Sequence, residues 1–217
     1  MILVKSYDGL RVFLENCLDS KQSKKTFSLI SKGNWEKFVA RNSANAFLFY
    51  RGDITAPQTH CVGLFSENET FGGAGGSWVL HATKEESKLL VMWFNSAMNL
   101  FQILTQRKET RGGWMELDLY VLEELYILDS RMLTQEERES LFKTFDKVAK
   151  SPLPSIHEQL RNKHPARKEL DTALLRIIGM PEDEIETFLV SLYEQLDREL
   201  TKLKEVMAEG RHIEKEE

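Results

Sequence analysis

Between Ile185 and Met207 the apolar residues Ile185, Phe188, Leu189, Leu192, Leu196, Leu200, Leu203 and Met207 recur three or four positions apart, with mostly charged or polar residues between them. Only an α-helix puts such a set on one face, and a face that long must be covered by something. Pro181 stands where a first helical turn tolerates proline, and Gly210 marks the end of the pattern. Two shorter stripes precede it. Thr134-Gln135-Glu136-Glu137 is a capping box leading into Leu141, Phe142, Phe145, Val148 and Ala149, ended by Pro152 and Pro154. Residues Ala166 to Ile178 carry Leu170, Ala173, Leu174, Ile177 and Ile178 and stop at Gly179, a good C-cap. These stripes either pack on one another as a bundle or leave a seam for a partner subunit, and the sequence leaves both open.

The first half has a different texture. Phe47–Tyr50, His60–Phe65 and Trp78–His81 are strand-like runs, separated by the turn formers Gly52-Asp53 and Gly72–Gly76. Leu10, Phe13, Leu14 and Cys17 predict an opening helix. A second capping box, Thr83-Lys84-Glu85-Glu86, starts a helix predicted to run unbroken through Leu90, Trp93, Phe94, Ala97, Met98, Phe101 and Leu104. A basic, glycine-bearing loop follows at 106–113, then a strand in which Met115, Leu117 and Leu119 alternate with Glu116 and Asp118. The expected architecture is α+β: a mixed α/β target-recognition-like domain over residues 1–130, then a helical C-terminal bundle over 131–217.

Charge divides the chain in the same sense. Residues 1–115 hold 14 Lys+Arg against 10 Asp+Glu, whereas residues 116–217 hold 15 against 24. If nucleic acid binds, the first half is where phosphates can be neutralised. Leu89–Leu104 is too short and too interrupted by Asn95, Ser96, Asn99 and Gln102 to span a bilayer. The start of the chain does not combine a basic stretch, an apolar run and a cleavage site, and Cys17 and Cys61 lack Cys-x-x-Cys spacing. A cytoplasmic protein without a disulfide scaffold is expected.

Familiar chemical signatures are missing from the sequence: a Gly-Lys-Ser/Thr phosphate loop, a His-Glu-x-x-His pair and zinc-spaced cysteines. The five histidines are scattered, and no nucleophile motif accompanies them. Gly72-Gly73-Ala74-Gly75-Gly76 carries Trp78 where a dinucleotide loop needs its third glycine, which favours a turn over a cofactor cradle.

The segment Trp93-Phe94-Asn95-Ser96-Ala97, then Arg111-Gly112-Gly113, the strand Glu116–Leu119 and Val121-Leu122-Glu123-Glu124-Leu125-Tyr126-Ile127-Leu128-Asp129 resembles the target-recognition region of adenine-specific DNA methyltransferases of type I and type II restriction-modification systems. Phe94 stands for the family's usual leucine and Tyr126 for its usual proline. Arg167 to Met180, with Arg167, Leu170-Asp171 and Gly179, is similar to the family's C-terminal helix, and the likeness spans about residues 75–205. The family's Asn/Asp-Pro-Pro-aromatic loop and its S-adenosylmethionine loop have no match in this chain. The resemblance therefore implies a recognition module whose methyl transfer, and whose S-adenosylmethionine, belong to another domain or subunit, or else a remnant without activity. No catalytic residue, metal ligand or cofactor is assigned to this chain.

In such a module the DNA-facing candidates are Arg107, Lys108 and Arg111 with Gly112 and Gly113, since arginine pairs bidentately with guanine and glycine lets the backbone approach. Arg41, Asn42, Asn45 and Arg51 form a second polar cluster, with ordinary surface as the competing explanation. Asn95 and Ser96 are expected to satisfy loop backbone rather than touch a base, and Trp78 and Trp114 to pack rather than stack on nucleotides. The expected partners are double-stranded DNA and a methyltransferase catalytic domain or subunit. The competing class is a protein-interaction module whose long last helix docks the catalytic partner.

Overall fold

The computed structural model describes residues 35–72, 76–106 and 115–213, with side chains over 37–72, 76–106 and 115–206. The helix expected from Leu10 lies outside the described residues. Residues 1–43 and 44–217 are two compact units. In the first, helix α1 (Trp35–Arg41) is closed by Asn42, whose side-chain amide donates to Phe38 O at 2.7 Å.

The second unit is mixed α+β. Its strands are β1 (Ser43–Phe49, starting one residue before the boundary), β2 (Arg51–Gly52), β3 (Gly63–Phe71), β4 (Ser77–Leu80) and β5 (Met115–Glu116). Its helices are α2 (Lys84–Phe94), α3 (Ala97–Gln106), α4 (Leu119–Glu124), α5 (Gln135–Val148), α6 (Ile156–Arg161), α7 (Pro165–Ile177) and α8 (Glu182–Ile213). Strand β1 lies between β3 and β4, antiparallel to β4 with Ala46 opposite Leu80, while β2 and β5 form a separate antiparallel pair. Gly72 ends β3 tight against the Phe47 ring, where a Cβ would collide. At that residue glycine serves close packing.

Both capping boxes form. Thr83 Oγ1 accepts from Glu86 N and Thr134 Oγ1 from Glu137 N, and each glutamate reaches back to its cap. Ser155 and Glu158 make a third box at α6. Helix α7 ends in a Schellman turn: Gly179, at φ +84°, donates to Arg176 O, and Met180 N donates to Leu175 O.

The expected single helix over 83–104 is two helices. It breaks at Asn95–Ser96 because both side chains are diverted to backbone groups, as described below. The expected strand over 115–119 is two residues long. Leu117 is 1% exposed but Leu119 is 56% exposed, so the alternation stops, and Asp118 becomes the N-cap residue of α4.

The residues facing inward from α8 are Ile185, Leu189, Leu192, Tyr193, Leu196, Leu200 and Leu203. They share one core with Leu48, Ile54 and Val62 near the strands and with Leu100 and Ile103 of α3. A second cluster joins Ala46, Leu89 and Trp93 to Leu141, Phe145, Leu170 and Leu174. Both clusters cross residue 130, the expected domain boundary, because the helical stripes are covered partly by the strand region and α2–α3.

Candidate functional site

Arg107, Lys108, Arg111, Gly112 and Gly113 lie outside the described residues, as do Gly73–Gly75 and Trp114. The two ends of that basic segment are well defined. Helix α3 delivers it at Gln106, and β5 takes it up at Met115, which pairs with Gly52. Leu117 N donates to Tyr50 O at 2.8 Å, and Trp78 Nε1 donates to Leu117 O at 2.6 Å. The Trp78 and Tyr50 rings meet edge to face at 5.7 Å, so Trp78 braces the frame rather than standing free for stacking. The Tyr50 hydroxyl donates to Asp118 at 3.2 Å, and that bond raises its pKa.

Arg51 is the candidate closest in sequence pairing to this frame. Its Nε lies 3.3 Å from Glu116 Oε1 across the β2–β5 pair, and its side chain is half exposed. Asn45, on β1, spends its amide on the neighbouring strand, donating to Ser66 O at 2.9 Å and Glu67 O at 3.4 Å. Arg41 closes the last turn of α1 in the other compact unit.

Asn95 and Ser96 act on the backbone. Asn95 Oδ1 accepts from Val62 N at 2.7 Å and Gly63 N at 3.1 Å, and its Nδ2 donates to Gly63 O at 2.8 Å. One side chain thus clamps the start of β3 to the end of α2. Ser96 Oγ accepts from Asn99 N at 3.1 Å, opening α3. Ala97 N, the next donor of that helix start, is taken by Asp171 Oδ1 at 2.8 Å.

Asp171 belongs to a polar network that the sequence did not announce. Its other oxygen accepts from the Tyr193 hydroxyl at 2.7 Å. Burial pushes the Asp171 carboxyl above its ordinary value, against the pull of Arg167, the Ala97 N–H and the Tyr193 hydroxyl. Tyr193 is raised as well, by burial first and then by the Asp171 charge. Arg167, one turn earlier and 3% exposed, donates from Nε and Nη2 to Gln159 Oε1 at 3.1 and 2.8 Å. Gln159 passes the chain on, donating to His60 O and Pro154 O at 2.8 and 2.7 Å. The signal was in the spacing: Arg167, Leu170, Asp171 and Leu174 share one face, so two charges sit on an apolar stripe.

Arg167 and Gln159 line a cleft of about 460 Å³. Phe65, Met92, Phe145, Val148, Leu153 and Leu170 supply much of its apolar lining, and Glu67 and Asp146 also border it. Lys88 bridges those two carboxylates, with its ammonium over the Phe65 and Phe145 rings. Cys61 also lines the cleft, and burial raises its thiol pKa while Arg167 lowers it.

These features define an α+β protein with a largely apolar cleft that has a buried guanidinium in its wall. No family model, curated protein or solved structure matches this chain.

Proposed function

We propose that this chain is a sequence-specific DNA-recognition module of the kind that serves adenine-specific DNA methyltransferases, with methyl transfer supplied by another domain or subunit. The observation that carries this reading is the tethering of residues 107–114. Three cations and one anion occupy a stretch whose ends are held by α3 at Gln106 and by the β2–β5 pair at Met115, beside the half-exposed Arg51. A frame that fixes both flanks limits where a basic segment between them can reach, and glycine at 112 and 113 allows close approach to a groove. The acidic second half stays compatible with this, because its apolar faces build the core that holds the frame.

Fluorescence anisotropy with a pool of labelled duplexes at two salt concentrations tests the proposal. Binding should weaken steeply with salt, and changing Arg107, Lys108 and Arg111 together to Ala should flatten the log–log slope by up to about 3, roughly one for each phosphate left without its cation. Absence of binding at low salt, or an unchanged slope in the triple variant, overturns it.

A further inference from the structure

The cleft bordered by β3, α2, α5 and the 149–153 turn has no part in the DNA reading, and its chemistry is specific. Arg167 is 3% exposed, yet among the described residues no carboxylate lies within ion-pair distance of it. Two of its nitrogens are spent on one neutral acceptor, Gln159 Oε1, and the third, Nη1, is buried with no hydrogen-bond partner. Asp171 makes no bond to it, since its oxygens are taken by Ala97 N and the Tyr193 hydroxyl. A buried cation hydrogen-bonded only to a neutral amide carries a large desolvation cost, and native proteins relieve that cost by pairing the charge.

The rest of the lining says what the partner's body must be. Phe65, Met92, Phe145, Val148, Leu153 and Leu170 offer apolar and aromatic surface, and the volume of about 460 Å³ falls within the ordinary range for small-molecule sites. At the border, Glu67 and Asp146 are bridged by Lys88, which holds β3 to α5. Lys88 sets its ammonium against both of them, which offsets part of their charge along the path of an anionic head. We propose that this cleft binds a small amphiphilic monocarboxylate, its carboxylate directed to Arg167 and its apolar body against Phe145 and Met92.

Octanoate is the probe, with 1-octanol as the neutral comparator of the same chain length. Titration calorimetry on the full chain, with the Met92 methyl resonance followed by NMR, reads affinity and place together. Octanoate should bind at least tenfold more tightly than 1-octanol and shift the Met92 methyl. Arg167→Leu should abolish that preference. Because that variant can lose its fold along with its charge, Ala149→Trp provides the second arm: Ala149 is exposed at the end of α5 and lines the cleft, so tryptophan plugs it from outside with Arg167 intact. Loss of octanoate binding in a folded Ala149→Trp chain supports the proposal. Equal affinity for octanoate and octanol, no binding of either, or undiminished octanoate binding with the plug in place overturns it. DNA binding is read from a different segment, so either proposal can fail alone.

Discussion

At the scale of single residues the chain depends on polar side chains placed where apolar ones would be expected. Asp171 is fully buried, and its two oxygens serve the first turn of α3 and the Tyr193 hydroxyl of α8, tying three helices at one point. Asparagine has nearly the same shape: its oxygen can accept from Ala97 N while its amide donates to the Tyr193 oxygen. Burial, the largest influence on the Asp171 carboxyl, raises its pKa above 3.8 in the folded chain. Above about pH 4 the unfolded chain releases this proton while the folded chain still holds it, so rising pH removes stability from the native state until the folded value is passed. Asp171→Asn cannot titrate. The stability of the native chain minus that of the Asp171→Asn variant should therefore fall as pH rises above 4, with a slope no steeper than about 1.4 kcal/mol per pH unit. Urea unfolding of both chains from pH 4 to 8 measures it. A difference that grows with pH would mean that Arg167 and the two donors outweigh desolvation.

At the scale of elements, what was legible in the sequence was whatever local chemistry decides. The boxes at Thr83 and Thr134, the stop at Gly179 and the stripe of α8 were all readable, because cap and period lie within a few residues of each other. The break at Asn95–Ser96 was not, since it depends on Val62, Gly63 and Asp171, between 32 and 75 residues away in sequence. The role expected for Asn95, holding loop backbone, could be inferred without its partners. The Arg167–Gln159 pair and its cleft were not visible, because a cleft is a property of β3, α2 and α5 together. Of the DNA candidates, Asn45 bridges β1 and β3, a use that only the assembled sheet reveals. One local feature carries a local prediction. Thr134→Ala removes the acceptor for Glu137 N at the start of α5 and should cost about 1 kcal/mol in urea unfolding. The Glu137 titration is lowered first by the backbone N–H of residue 134, which alanine keeps, and then by the Thr134 hydroxyl, so the same change should move it part of the way up toward its ordinary value. Unchanged stability together with an unmoved Glu137 would show that the box contributes nothing in solution.

At the scale of the whole molecule, the question is what the longest helix covers. Helix α8 could have been a seam offered to another subunit, but seven of its side chains, from Ile185 to Leu203, are buried within the chain's own core. Of the apolar side chains that do face outward, Phe188 and Val206 lie on α8, while Leu119, Tyr120, Tyr126, Ile127 and Met132 cluster in sequence elsewhere. Tyr126 shows the contrast most sharply, 82% exposed as a residue while its backbone is held by Gln102 and Trp93. A catalytic partner would thus find apolar surface between 119 and 132 rather than on the inner face of α8. The two placements separate on cutting the chain after Met180. Each of the six buried leucines and isoleucines of α8 is worth about 1.5–3 kcal/mol, so losing them together removes as much as the 5–15 kcal/mol by which a domain of this size is typically stable. The chain ending at residue 180 should lose cooperative urea unfolding and the dispersion of its amide resonances. A truncated chain that keeps both would show α8 to be an appendage, and would make its apolar face once more a surface that a partner could cover.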